Sequence, residues 1–243
     1  MHINILTIFP EIFDALNYGV IGKAKTNKSF SIKLQDIRDY PVNKHGQIDS
    51  KPYGGGEGMV MMAEPLKRSL ESIPKEKLGK IIYLSPQGAL FDNTKAKKLS
   101  KEPSATFICG RYEGIDQRFI DKYVDEEISI GDFIISGGEI AALCIIDSII
   151  RHIPGVLGNK DSSKNDSFSN GLLKGPQYSR PEVFEEISVP DILLSGDHKK
   201  IKEWKDLKSI EATIIRRPDL LNNVKLTKKQ RKLLEDLASQ SIL

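Results

Sequence analysis

The apolar positions of this chain change period from segment to segment, and each change marks an element. Ile3 to Phe9 is apolar and β-branched and stops at Pro10, which predicts a strand; the spacing from Glu11 to Tyr18 predicts a helix after it. Ser31 to Ile37 alternates, with Ile32 and Leu34 on the opposite side from Ser31, Lys33 and Gln35, as a strand with one buried face does. Lys80 to Leu84 predicts another short strand, ended by Ser85-Pro86-Gln87-Gly88, a turn by composition. Asp92 or Asn93 can cap a helix reaching about Ser100, Ala105 to Cys109 is the next strand, Gln117 to Tyr123 is helical and Glu126 to Ser129 extended. Gly138 to His152 is apolar almost all round, the pattern of a buried helix. Strands alternating with helices predict an α/β fold with a mainly parallel sheet.

Beyond Pro154 this regularity ends. Asn159 to Asn170 is small, polar and without periodicity, which predicts a linker or mobile loop. Helical patterns then run from Asp197 to about Ser209, briefly on to Arg217, and from Lys228 to Ser239, the last opened by a Thr227/Gln230 capping box. The expected organisation is a domain over residues 1–158, a flexible linker over 159–172 and a small helical domain over 173–243.

Composition narrows the class. A chain of 243 residues with 39% hydrophobic and 28% charged side chains is an ordinary folded, water-soluble protein. Its two cysteines, Cys109 and Cys144, lie in apolar surroundings and are expected to be buried free thiols, too few for a disulfide framework or a zinc ribbon. No basic segment precedes the first apolar run, and the longest such run, Ile140 to Ile150, is broken by Asp147 and Ser148. Neither can span a membrane, and a reducing, cytoplasmic compartment is expected. Residues 1–158 hold 20 basic and 20 acidic side chains and residues 159–243 hold 16 and 13, so the net charge of +3 resides in the C-terminal third. Such an excess suits a polyanionic partner, and equally a solvated lysine-rich helix face.

Three glycine-bearing loops follow predicted strands: Ser85 to Gly88, Gly110 to Asp116, and Gly131 to Glu139. In a parallel sheet such loops gather at the carboxyl ends of the strands, where ligands bind, and glycine lets main-chain amides approach a ligand closely. Familiar phosphate motifs are missing: Tyr53-Gly54-Gly55-Gly56-Glu57-Gly58 lacks the Gly-Lys-Ser/Thr of a P-loop and the spacing of a dinucleotide fingerprint. The four histidines have no metal-ligand spacing and no nucleophile elbow occurs. Arg151, four residues after Asp147, reads locally as an ion pair at a helix end, and Asp166 as a solvated turn residue or cap.

Taken in order, Lys51 to Gly56 (KPYGGG), Leu84 to Gly88 (LSPQG), Cys109 to Asp116 (CGRYEGID), Ser129 to Glu139 (SIGDFIISGGE), Ile153 to Gly158 (IPGVLG), Asp166 to Phe168 and Tyr178 to Val183 (YSRPEV) resemble the bacterial tRNA (guanine-N1)-methyltransferases, the TrmD family of the SPOUT class. The resemblance covers essentially the whole chain. It implies a parallel sheet with helices threaded into a deep trefoil knot, a rare exception to the rule against knots, followed by a small helical domain. It further implies an obligate homodimer, S-adenosyl-L-methionine as methyl donor, and methylation of the guanosine immediately 3′ of the anticodon of tRNA.

By the same resemblance the donor is bound by Tyr83, Ser85, Pro86, Gly110, Tyr112, Glu113, Gly114, Ile130, Gly131, Asp132, Phe133, Ile134, Ile135, Gly137 and Gly138. The loop Pro52, Tyr53, Gly54, Gly55 and Gly56 packs around the target guanine, and Glu57 departs there from the proline common in the family. Asp166 is the general base, in a segment that closes over the site when tRNA binds, and Arg151 is the essential arginine. A magnesium ion, with the Glu113 region as its candidate site, and an anticodon stem-loop held by the basic C-terminal helices complete the expectation. The chemistry suits these types: guanine N1 must lose a proton before it attacks, and the charge that moves onto O6 is stabilised by a guanidinium.

Overall fold

Strand β1 (His2–Thr7) is buried from Ile3 onward, as expected of a strand in the middle of a sheet covered on both faces. Its one interior amide is satisfied: Asn4 Nδ2 donates to the Lys77 carbonyl at 2.8 Å and to the Thr106 hydroxyl at 3.1 Å. Pro10, with φ pre-set for a first turn, opens a 3-10 helix over Pro10–Asn17. Tyr18 is extended and Gly19, at φ 62°, restarts the chain as α1 (Gly19–Thr26). The single helix expected to end at Tyr18 is therefore two, because a left-handed glycine lets the chain turn between them.

In the computed structural model, which describes residues 1–157, 166–224, 226–227, 230–232 and 234, the chain forms two compact units, Met1–Gly158 and Asn159–Leu243. The first continues with β2 (Ser31–Asp36), the short antiparallel pair β3 (Asp49–Ser50) and β4 (Val60–Met61), then α2 (Ala63–Glu71), α3 (Lys75–Leu78), β5 (Lys80–Leu90), α4 (Asn93–Leu99), β6 (Ser104–Cys109), α5 (Gln117–Tyr123), β7 (Glu126–Ser129) and α6 (Gly138–Ile150). The main sheet has the order β2-β1-β6-β5-β7, and every pair in it is parallel. One face carries a core of Ile3, Ile5, Phe107, Ile145 and Ile149. The other buries Leu6, Ile37, Leu66, Ile108 and Phe119. Helices on both faces of a parallel sheet make this an α/β fold.

Several elements differ from the sequence reading. β5 does not end at Leu84: its register with β7 jumps from Leu84 to Ala89, so Ser85 to Gly88 bulge out and the strand resumes as Ala89 and Leu90. On β2 the apolar Leu34 is 37% exposed and the polar Gln35 only 8%, because this edge strand turns Gln35 inward, where its amide donates to the Tyr40 hydroxyl. α2 was not anticipated; Pro65 sits in its first turn, where no amide is needed, and Leu66 and Leu70 share its buried face. α6 ends at Ile150 rather than His152. Cys109 is buried as expected, but Cys144 is exposed, because it shares a stripe of α6 with the exposed Ile140, Asp147 and Arg151.

The second unit has a hairpin, β8 (Val183–Phe184) with β9 (Ile187–Ser188), then α7 (Asp191–Leu194) and α8 (His198–Arg216). Glu185 and Glu186, at φ 48° and 65°, supply the positive φ that a two-residue hairpin turn requires. α8 is one helix where two were expected, capped by Asp197, whose carboxylate accepts from the Lys199 and Lys200 amides at 3.1 Å. Leu172 and Ile210 form its small core. The capping box is made, with the Gln230 amide donating to Thr227 Oγ1 at 3.2 Å and the Thr227 amide to Gln230 Oε1 at 2.9 Å. Most of the helix expected beyond it, and residues 159–165 of the expected linker, lie outside the described residues.

Candidate active site

The Ser85 to Gly88 bulge within β5 and the loops that follow β6 and β7 line a cavity of about 410 Å³. They are held together by backbone proximity that only glycine allows. A Cβ on Gly88 would come within 2.4 Å of the Glu127 carbonyl carbon, and one on Gly138 within 2.8 Å of Cys109 Cα. The Gly138 amide donates to the Gly110 carbonyl at 2.9 Å, so α6 starts directly against the end of β6. Beneath Gly110 and Gly114 lies Tyr83; a Cβ on Gly110 would sit 2.9 Å from its hydroxyl oxygen. Burial, and then the charge of Glu127, push the Tyr83 phenol up to about 12, so it stays neutral.

A buried ion pair fixes the second loop to the third. Glu139, fully buried, accepts from Arg111 Nε at 2.8 Å and from the Thr7 hydroxyl at 2.8 Å. Arg111 also donates from Nη1 to the Ser136 carbonyl at 3.1 Å and lies over the Phe9 ring, 4.6 Å from its centroid. It fills the space where Gly137 would carry a Cβ. Burial, and then the nearby Glu139 carboxylate, push the Cys109 thiol well above its ordinary range, which leaves no thiolate nucleophile here.

Of the residues that the resemblance assigned to the donor, the cavity wall includes all except Asp132, which sits in the third loop without lining it. The same wall contains Gln87, Arg111, Gln117 and Glu127, to which the sequence reading gave no role. Gln87 and Arg111 lay within quoted motifs. Glu127 could have been found from the two-residue period of β7, which puts it on the opposite face from Glu126.

The glycine loop is placed differently. Tyr53 is fully exposed, and Pro52, Tyr53, Gly54, Gly55 and Gly56 do not line the cavity. Gly54, Gly55, Gly56 and Gly58 all have positive φ, and Glu57 between them is exposed. The far end of the loop is nevertheless stitched to the second cavity loop: the Glu113 amide donates to the Met59 carbonyl at 2.9 Å, the Met61 amide to the Gly114 carbonyl at 3.0 Å and the Asp116 amide to the Met61 carbonyl at 2.9 Å. Tyr112, at φ 61°, ties in from the other side, its phenol raised by burial and by its hydrogen bond with Asp49.

Arg151 is the exposed C-cap of α6, its amide donating to the Asp147 carbonyl at 3.3 Å; it is not part of the cavity wall. Asp166 belongs to the second unit, with its carboxylate 4.0 Å from Lys174 Nζ and 38% exposed. Among the described residues no three His, Cys, Asp or Glu side chains, Glu113 included, are grouped to hold a metal ion.

The chain matches the family model described as tRNA (Guanine-1)-methyltransferase TrmD over residues 1–223. It is 50% identical over 235 residues to a curated tRNA (guanine-N(1)-)-methyltransferase of Clostridium novyi (strain NT), an alignment covering 97% of each chain. It is 48% identical over 236 residues to proteins of the same description from Clostridium botulinum (strain Loch Maree / Type A3) and Clostridium beijerinckii (strain ATCC 51743 / NCIMB 8052), covering 97% of this chain and 98% of each relative.

Proposed function

Because the chain belongs to the TrmD family of tRNA (guanine-1)-methyltransferases, we propose that its three-loop cavity takes S-adenosylmethionine and that Asp166 and Arg151 act on the guanine. The enzyme transfers a methyl group to N1 of guanosine 37, immediately 3′ of the anticodon, in tRNA. The observation that supports the donor assignment is the cavity itself. Its glycine loops offer main-chain groups, while Ile130, Phe133, Ile134 and Ile135 give it the apolar wall that a flat ring needs. Bound there, the donor supplies a methyl group already activated by a sulfonium.

The residues of the chain do the rest. Asp166 accepts the N1 proton, and its carboxylate, 38% exposed and 4.0 Å from Lys174 Nζ, is open to a large substrate. Arg151 stabilises the negative charge that develops on O6. Holding the two substrates in line supplies much of the remaining acceleration. The exposed lysines of α8, Lys199, Lys200, Lys202 and Lys205, take the phosphates of the anticodon stem-loop.

The enzyme acts as a homodimer with the SPOUT trefoil knot. Support for the dimer comes from the apolar residues that unit 1 leaves in solvent, Phe133 at 55%, Ile134 at 83% and Ile140 at 48% exposed; a second copy is the occupant the family implies. Arg151 lies on the same stripe of α6 as Ile140 and Cys144, at the edge of such an interface. No helix among the described residues is long and apolar enough to cross a membrane, in keeping with work on tRNA in the cytoplasm. The test is transfer of labelled methyl from S-adenosylmethionine to two transcripts differing only in guanosine or adenosine 3′ of the anticodon. Label on the first alone, mapped to guanine N1, is expected; equal labelling would move the target, and none would refute the donor.

A further inference from the structure

The cavity carries a charge that the roles above leave unused. Its cation, Arg111, is committed to Glu139, and the two remaining charged groups on the wall, Glu113 and Glu127, are both acidic. Neither has an ion pair or hydrogen bond from its side chain among the described residues. Glu113 is exposed beside Gly58, whereas Glu127 is only partly exposed.

Strand geometry directs the Glu127 carboxylate to the cavity floor. Glu127 is the register partner of Tyr83, and laterally paired residues of parallel strands leave the sheet on the same side. Its neighbour Glu126 points the other way and is held by Lys80, at 2.6 Å, and by Lys95. Tyr83 in turn reaches beneath Gly110 and Gly114, and the Glu127 charge is felt at its hydroxyl. An unpaired carboxylate beside an enclosed ligand is a costly arrangement unless the ligand brings the opposite charge.

We infer that Glu127 is a specificity-determining residue that favours the cationic methyl donor over its neutral product. The inference rests on the reading that the cavity takes S-adenosylmethionine. That donor carries a sulfonium, an ammonium and one carboxylate, and so a net positive charge. When the carbon–sulfur bond breaks and the methyl group joins N1, the bonding electrons stay on sulfur, the N1 proton goes to the base, and the thioether product has no net charge. A fixed carboxylate attracts the donor and loses that attraction at transfer, which helps the product leave in exchange for fresh donor.

The experiment is calorimetric titration of the full chain, wild type and Glu127→Gln, with three probes: S-adenosylmethionine, S-adenosylhomocysteine, and an analogue with an ammonium in place of the sulfonium. The amide keeps the shape and removes the charge. Glu127→Gln is expected to weaken the donor and the ammonium analogue about tenfold, roughly 1.4 kcal/mol, while changing the product less than about twofold. Equal losses for all three, or no loss, would overturn the charge role. If wild-type protein binds neither donor nor product, the reading of the cavity itself fails, a result distinct from an unchanged ratio. Should the amide not fold, the apolar Glu127→Met gives the same comparison.

Discussion

Replacing Glu139 by Gln tests whether the buried ion pair holds the second and third cavity loops together. In the folded protein Glu139 accepts from Arg111 Nε and from the Thr7 hydroxyl, both at 2.8 Å, with no solvent exposure of its own. Glutamine fits the space and keeps an oxygen for Thr7, but it turns an amide toward Arg111 Nε, donor against donor, and leaves the guanidinium uncompensated. Removing one partner of a buried pair costs about 3–5 kcal/mol. Here the lower end applies, because the Arg111 side chain is 17% exposed and can rotate toward water. A loss of about 3 kcal/mol lowers the melting temperature of a domain this size by about 6–12 °C. Urea and thermal unfolding measure it, and a double-mutant cycle with Arg111→Met isolates the pair. Replacing both partners by apolar residues, Glu139→Leu with Arg111→Met, is expected to recover much of the loss, since a well-packed apolar pair often matches a buried ionic one. A loss below about 1 kcal/mol for Glu139→Gln, or no coupling in the cycle, would refute the argument.

Asp166→Asn and Arg151→Ala are each expected to lower single-turnover methylation by at least about 10²-fold with an unchanged circular dichroism spectrum; near-normal rates in either variant would remove that residue from the chemistry. Gly110→Ala drives a methyl group to 2.8 Å from the Tyr83 ring, an overpacking expected to cost about 1–3 kcal/mol and to weaken donor binding, read by melting and by titration. The Arg118 side-chain hydrogen bond holds the Asp116 carboxyl below its usual range, and a depressed folded pKa gives stability that is complete above the unfolded value and lost as pH falls through the folded one. The stability difference between wild type and Asp116→Asn should therefore be constant at neutral pH and shrink below about pH 4, which urea melts across that range measure. Binding of tRNA should weaken steeply between about 50 and 200 mM salt, and a flat salt dependence in a filter-binding assay would argue against the lysines of α8.

Hydrophobic period was enough to find β1, β6, α5, β7 and α6, because each keeps one simple pattern: β1 and β6 are buried almost throughout, α6 all but one stripe, and α5 turns Phe119 and Ile120 inward. It failed at β5 and at α2 for opposite reasons. At Ser85 to Gly88 the local composition is that of a turn, and only pairing with Ile128 and Ser129 on β7 makes Ala89 and Leu90 strand again. That is tertiary information. In α2, Leu66 and Leu70 lie among Glu64, Lys67, Arg68 and Glu71, and the weak pattern is resolved only by the core into which they pack. Gln35 and Leu34 exchange their expected burial because an edge strand is covered by whatever folds over it, here Tyr40. In the site, the glycine loops could be read because close approach demands a residue type. Arg111 and Glu139 could not, since no local pattern separates a charged side chain held in the site from one in solvent, and Glu127 was within reach only through the two-residue period of β7.

That difference bears on how the site works. The wall of the cavity proposed for the donor is built largely from main chain, and its geometry is set by contacts that tolerate no side chain, at Gly88, Gly110 and Gly138. The residues proposed for proton transfer and charge stabilisation lie elsewhere, at the end of α6 and in the second unit, both exposed enough to meet a large substrate. Within the first unit, the ladder from Met59 and Met61 to Glu113, Gly114 and Asp116 joins the glycine loop to the second cavity loop through hydrogen bonds rather than shared side chains. That ladder explains how a loop with four left-handed glycines and an exposed Glu57 can still keep register with the cavity wall.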